Sequence, residues 1–545
     1  MSGRISDQPV LLRTDTLMDG RSEAAVAAEL LIQDGRIAAM GPPGTVPLPA
    51  AVRRIDVTGC VVCPGFIDLH THSDVALLED GRGQSQICQG VTLEVVGNCG
   101  HSLAPLPDTA EQRHGLTLGP QLREDPCWRD MAGFLEAIDA ARPSLNVAAL
   151  VGHGTLRRAC LSDPRVPVPD AAGQSALERA LAAALEAGAV GMSTGLEYDP
   201  GIHARKDEID RLCRIVAQHG ALYTTHLRNR DRLFESAMQE ALSTAELTGV
   251  GLQISHITPK YGAPENAAVR MREMVDQARS HGVDVAYDVI PHHWGPTITA
   301  SVLPAWALVG GTRATLERLR DPHARERIRQ APNPIWPLVR DRRWNDIVMF
   351  DAIGDPSLNG ISMAEIGRSR NQDPFDSVLD ILIAAGESLY SVTWVGRNFA
   401  PADTALLLDA DYAGVISDAI TLSHDGPFAG LRWSPSACGW VARYLAWCRD
   451  GVLSLSLPEA VRRLTTVPAK RLGLSDRGQL RPGACADLVV FDPAAVNDRS
   501  TLAEPHRSPE GFHQVWVNGV QVVANGCPTG HRPGRALRAV CGRVH

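Results

Sequence analysis

Two histidines one residue apart close the stretch Pro64-Gly65-Phe66-Ile67-Asp68-Leu69-His70-Thr71-His72. If a strand runs through Thr71, residues two apart share a face, and the imidazoles of His70 and His72 project side by side toward a metal ion. A His-x-His pair alone is common on surfaces and in cores, so the weight falls on further donors along the chain. Cys99 stands just past an apolar run in Val95-Val96-Gly97-Asn98-Cys99-Gly100, where small neighbours let a thiolate approach an ion. His226 ends Tyr223-Thr224-Thr225-His226, His256 ends Gln253-Ile254-Ser255-His256, and Asp418 ends Val415-Ile416-Ser417-Asp418. These nitrogen, sulfur and oxygen donors make up the set that borderline-soft Zn²⁺ prefers.

Donors so far apart in the chain need elements that bring them together. Apolar runs at 65–70, 91–96, 145–151, 189–193, 221–225, 251–255, 283–289 and 414–417 read as strands, with helical periodicity between several of them, as at 175–186 and 237–248. Alternating strand and helix is the signature of parallel βα units, and eight of them predict a closed TIM-like (β/α)8 barrel, whose strand ends converge on one face. Residues 294–413 are too long for one βα connection. An inserted subdomain at about 295–390 is expected there, with a helix near 313–330 and a further strand near 391–395.

The termini read differently. Asp34-Gly35 and Asn518-Gly519, each between β-favouring runs, are hairpin signals. Residues 1–61 and 476–545 are therefore expected to meet in one small β-sandwich domain flanking a catalytic barrel at 62–475.

Composition sets outer limits. With 44% apolar and 21% charged residues, the 545-residue chain can bury a sizeable core. A net charge of −9 gives no reason to expect nucleic acid as a partner. The first residues, Met1-Ser2-Gly3-Arg4, lack an apolar leader, and no run of 18 apolar residues occurs, so a cytoplasmic protein without a membrane partner is expected. Twelve scattered cysteines read as reduced thiols, with Cys60-x-x-Cys63 structural. Only Lys206, Lys260 and Lys470 of the 53 basic residues are lysines.

The His70-x-His72 stretch with His226, His256 and Asp418 resembles the amidohydrolase superfamily of metal-dependent hydrolases. Within it, Val96-Gly97-Asn98-Cys99-Gly100, Ser193-Thr194-Gly195-Leu196-Glu197-Tyr198-Asp199-Pro200-Gly201, Thr225-His226-Leu227-Arg228-Asn229 and Ile254-Ser255-His256 resemble the N-acyl-D-amino-acid deacylases, or D-aminoacylases. The resemblance implies a tight Zn²⁺ site at Cys99, His226 and His256. It also implies a weaker second position near His70, His72, Cys99 and Asp418, with Asp418 as general base. Many relatives in the wider superfamily bridge two metals with a carboxylated lysine. No lysine stands at the fourth strand end, so Cys99 is expected to take that role.

The substrate implied is a small-molecule linear amide, an N-acyl-D-amino acid or related N-acyl compound. By the same resemblance, Tyr198 occupies a position expected to contact its acyl or carboxylate end. The lysine that family members carry two residues beyond the sixth-strand histidine is here Thr258, which brings Lys260 into consideration. His292, after the seventh strand, and Arg432, after the eighth, are further candidates for substrate contact. A cyclic-amide hydrolase of the hydantoinase or dihydroorotase kind is the alternative enzyme, and its usual bridging lysine is missing. A deaminase lacks its glutamate after His226, and a scaffold that has lost its metal would not need the full donor set.

Overall fold

The computed structural model describes residues 8–113, 115–122, 125–333, 336–540 and 543–544. Eight parallel strands form a nearly closed barrel in chain order: β1 (Phe66–Asp68), β2 (Val91–Val96), β3 (Asn146–Gly152), β4 (Gly191–Gly195), β5 (Leu222–His226), β6 (Gly251–Ile254), β7 (Val285–Val289) and β8 (Ala413–Val415). Nearly every strand residue is buried, as expected for parallel strands covered on both faces.

The β8–β1 seam is joined by side chains and loops more than by a ladder. Thr71 bridges Ala419 in parallel, His72 N–H donates to the Ala419 carbonyl at 2.8 Å, and Asp418 N–H donates to the His70 carbonyl at 3.1 Å. The buried Asp68 carboxylate accepts from the backbone N–H groups of His70 and Ser417, both at 3.2 Å. The seam thereby places His70, His72 and Asp418 side by side. β1 stops at Asp68 rather than running through Thr71, so the two histidines converge through this stitching and not through strand alternation.

Helices pack outside the strands where their apolar stripes dictate. In Ala171–Glu186 the Asp170 side chain accepts from Gly173 N–H as an N-cap, and Leu177, Leu181, Ala184 and Leu185 face inward at i, i+4, i+7 and i+8. Burying each such leucine contributes about 1.5–3 kcal/mol.

Between β7 and β8 the chain builds the insertion. Gly295–Ile298, Thr393–Gly396 and Ile347–Asp351 form a three-stranded antiparallel sheet, with Thr393–Gly396 central. It has its own core, including Val302, Leu316, Leu338, Met349, Leu379 and Trp394. The helix expected near 313–330 is two helices, Gly311–Arg320 and Pro322–Gln330, because Pro322 cannot continue the first and Asp321 caps the second by accepting from Ala324 N–H.

Both termini enter one nine-stranded sheet. Within it Val61–Pro64 lies between Val10–Leu17 and Leu488–Phe491, with Val489 opposite Cys63. The sheet folds back on itself, since Arg36 bridges Cys485 and the Gly35 turn abuts Asn518. Val10, Leu12, Leu30, Ile32, Leu488 and Trp516 fill the interior. Both hairpins turn through residues with positive φ, Asp34 (50°) with Gly35 (75°) and Asn518 (49°) with Gly519 (76°), the turn that matches strand twist. Among the described residues every cysteine is a free thiol, and no helix is long and apolar enough to cross a membrane.

Candidate metal centre

Cys99, His226 and His256 follow or end β2, β5 and β6 and meet at the barrel mouth. Cys99 Sγ lies 3.7 Å from His226 Nδ1 and 3.5 Å from His256 Nε2, and the two nitrogens are 3.1 Å apart. A tetrahedral zinc, with bonds of about 2.0–2.1 Å to nitrogen and about 2.3 Å to sulfur, requires N···N and N···S edges of about 3.3 and 3.6 Å. The three donor atoms already stand at those separations.

The protonation states agree. His226 Nε2 donates to Glu197 Oε2 at 2.8 Å, and because a carboxylate only accepts, Nδ1 keeps its lone pair for an ion. Burial pushes His226 down to about 4 against the pull of Glu197, and pushes His256 well below its usual value, with Arg230 adding to the effect. Neutral imidazoles with buried lone pairs are metal ligands in waiting. Burial holds the Cys99 thiol well above its ordinary pKa, reinforced by Asp418. A divalent cation reverses that preference by stabilising the thiolate. Residues and group therefore fit.

His70, His72 and Asp418 form a second cluster beside the first. Asp418 Oδ1 lies 3.4 Å from His70 Nε2 and 3.2 Å from His72 Nε2, and His70 Nε2 is also 3.3 Å from Cys99 Sγ. Burial raises the Asp418 carboxyl, but the hydrogen bond with His72 and the charges of His70 and Arg230 outweigh it and hold it at about 2. Asp418 thus faces the cavity as a carboxylate.

Three of these donors adopt left-handed backbone: Cys99 (φ 53°), His256 (φ 36°) and Asp418 (φ 48°). Non-glycine residues in that region cost about 1–3 kcal/mol each and persist only where surrounding structure holds them. Here the hold is visible. Gly100 N–H donates to Ser193 Oγ at 2.9 Å, His256 N–H to Asp288 Oδ1 at 2.5 Å, and Asp418 N–H to the His70 carbonyl.

A cavity opens above the donors. Its floor includes His72, Cys99, His226, His256 and Asp418, and its walls include Tyr198, Arg230, Lys260 and Trp433. The insertion supplies the roof through Gly295–Ile298, Trp336, Asn398 and Phe399. Tyr198 packs its ring 4.6 Å from that of His226, and burial keeps its hydroxyl protonated.

Lys260 reaches this cavity, but its ammonium sits on both oxygens of Glu197, at 2.6 and 2.9 Å. Two other expected substrate residues stand elsewhere. Arg432 donates to the carbonyls of Phe350, Leu502 and Ala503 at 2.9, 3.2 and 3.0 Å, pinning the insertion to the C-terminal segment and leaving the guanidinium outside the cavity. His292 is buried away from the cavity lining, its Nδ1 accepting from Trp294 N–H at 3.2 Å. The short turn at 290–294 sends the chain into the insertion and turns the ring aside.

Sequence reasoning did not single out Glu197 or Arg230. Glu197 stands two residues past β4, within the motif at 193–201, and an acid at a strand end is signal enough to consider it. Nothing in the periodicity around Arg230 marks it as buried.

Comparison with known proteins shows the family of the chain. The model of the amidohydrolase family matches residues 53–325 and 418–523, passing over most of the insertion. The chain is 36% identical over 526 residues to the N-acyl-D-glutamate deacylase of Alcaligenes xylosoxydans xylosoxydans, covering 96% of this chain and 95% of that one. Among solved structures it is similar to the N-acyl-D-glutamate deacylase of Bordetella bronchiseptica, complexed with zinc and a phosphonate mimic of the tetrahedral intermediate, with TM-score 0.79, 32% identity, and 97% and 99% of the two chains covered. It is also similar to a D-aminoacylase whose binuclear centre is described as activated by one metal and attenuated by a second, with TM-score 0.77, 30% identity, and 97% and 99% covered. With the barrel, the donor set and these likenesses together, the chain belongs to the amidohydrolase family and, within it, to the N-acyl-D-amino-acid deacylases.

Proposed function

We propose that this protein is a zinc-dependent hydrolase of linear amides whose substrates are N-acyl-D-amino acids. The observation that carries the reading is the meeting of Cys99 Sγ, His226 Nδ1 and His256 Nε2 at tetrahedral-edge distances beneath a cavity that also presents the Asp418 carboxylate. Cys99, His226 and His256 would hold the tight ion, and His70, His72 and Asp418 would offer a weaker second position. A bound zinc ion supplies Lewis acidity toward the amide carbonyl and lowers the pKa of its water to about 7.

The chain's own groups do the rest. Asp418, ionised and facing the cavity, accepts the proton of the attacking water and delivers it to the amine nitrogen as the C–N bond breaks. Tyr198, held against His226, keeps its hydroxyl proton and donates to the acyl end of the substrate. Glu197 fixes the His226 tautomer through Nε2. The roof from the insertion limits water around the reacting amide.

A hydrolysis screen with zinc supplied tests the reading, using N-acetyl-D-amino acids, N-acetyl-L-amino acids, aryl amides and hydantoins. Turnover of the D series is expected. Failure on every linear amide overturns the proposal, and turnover of hydantoins alone replaces it with a cyclic-amide hydrolase.

A further inference from the structure

The mechanism gives one buried cation on the cavity wall no contact with the substrate. Arg230, four residues past the end-of-strand His226, is 6% exposed and lines the cavity. Its Nη1 donates to the carbonyls of His256 and Thr258, and its guanidinium lies 5.9 Å from the Phe399 ring centre. Its Nε is buried with no hydrogen-bond partner. No carboxylate of the described residues lies within ion-pair distance of it. Arg228, two residues earlier, shows the contrast: it makes a fork to Glu240 at 2.9 Å through both Nε and Nη2.

Lys260 is the other lysine or arginine on this wall among the described residues, and its charge is matched by Glu197. The wall therefore carries one matched pair and one guanidinium with incomplete partners. A buried N–H without an acceptor is costly, and a guanidinium answers a carboxylate better than any other anion receptor in the protein repertoire. The rest of the cavity lining includes the uncharged Leu118, Pro296, Thr297, Ile298, Trp336, Asn398 and Trp433. A second carboxylate entering here would find no unmatched cation among the described residues, and burying it unpaired would be unfavourable.

We propose that Arg230 receives the α-carboxylate of the substrate, and that the preferred substrates are N-acyl-D-amino acids with one carboxylate and an apolar side chain rather than dianionic ones such as N-acyl-D-glutamate. This rests on the proposed deacylase function and specifies its substrate class.

The test uses the zinc-loaded full-length protein with N-acetyl-D-leucine, N-acetyl-D-leucinamide and N-acetyl-D-glutamate. Wild-type protein is expected to favour the acid over the carboxamide by about 100-fold in kcat/KM, the scale of charge-assisted hydrogen bonds, and to favour leucine over glutamate by at least about tenfold, the scale of one unpaired polar group. Arg230→Met, with zinc content measured alongside, is expected to remove most of the acid-over-carboxamide preference through KM. If that variant fails to fold or to hold zinc, Arg230→Lys, which keeps the charge without the fork, is expected to reduce the preference about tenfold. Equal rates on acid and carboxamide, a preference for glutamate, or an unchanged ratio in a folded Arg230 variant each overturn the assignment. Those outcomes all include turnover of a linear amide, so they are distinct from failure of the deacylase reading, in which none of the three compounds is hydrolysed.

Discussion

Glu197 Oε2 accepts from His226 Nε2 at 2.8 Å while the same carboxylate accepts from Lys260 Nζ at 2.6 and 2.9 Å. Burial would raise the Glu197 carboxyl, but Lys260 and the His226 hydrogen bond hold it at about 2. One acid thus sets the tautomer of a proposed metal ligand and neutralises a buried ammonium. Replacing Glu197 with Gln keeps the shape but lets the amide present an N–H in place of the acceptor. Zinc affinity, measured by competition with a chelator, is expected to fall about 10- to 100-fold, the usual cost of losing such a partner.

The cysteine is expected to matter more than any single histidine. Its sulfur lies within 3.3–3.7 Å of a ring nitrogen of His70, His226 and His256 and belongs to both candidate positions. Cys99→Ala should reduce bound zinc from about one equivalent to about a tenth or less. Elemental analysis of purified protein checks this, and stoichiometric zinc in the variant would refute the proposed centre.

Asp418→Asn separates binding from proton transfer. The three donors of the tight position remain, so zinc stays, while the base is lost and kcat should fall about 10²- to 10⁴-fold. An unimpaired kcat would remove Asp418 from the role assigned to it.

A pH effect on stability is expected at a carboxylate outside the proposed metal cluster. The Glu208 carboxyl is buried, which raises it, but hydrogen bonds from His153 at 2.7 Å and Arg157 at 2.5 Å outweigh burial and leave its pKa below the usual glutamate value. A carboxyl depressed by folding adds stability that is fully present above its unfolded pKa and is lost as pH falls through its folded value. Denaturant unfolding at pH 7 and at successively lower pH should therefore show a smaller acid loss in Glu208→Gln than in wild type. The variant should also be less stable at pH 7 by about 3 kcal/mol, since it leaves Arg157 buried without its carboxylate. Equal acid sensitivity of the two proteins would count against this account.

The barrel was legible because its strands are short apolar runs buried on both faces, so hydrophobicity alone marks Val91–Val96 or Leu222–His226. The meeting of His70 with Asp418 was legible only through resemblance, because it depends on Asp68 and on loop-to-loop bonds across the seam, which no periodicity records. Arg432 misled because an arginine near a strand end reads the same whether it meets a ligand or three backbone carbonyls. Arg230 was missed for the converse reason: the Phe399 ring over which its guanidinium lies arrives from the far side of the insertion.

The insertion leaves and re-enters the barrel through two strands that pair with each other, Gly295 opposite Gly396 and Ile298 opposite Thr393. Because its stalks are adjacent and its hydrophobic interior is its own, the segment is a cassette. Exchange of residues between 295 and 396 among relatives can therefore redraw what the cavity admits while the proposed metal ligands, all carried by the barrel, keep their positions.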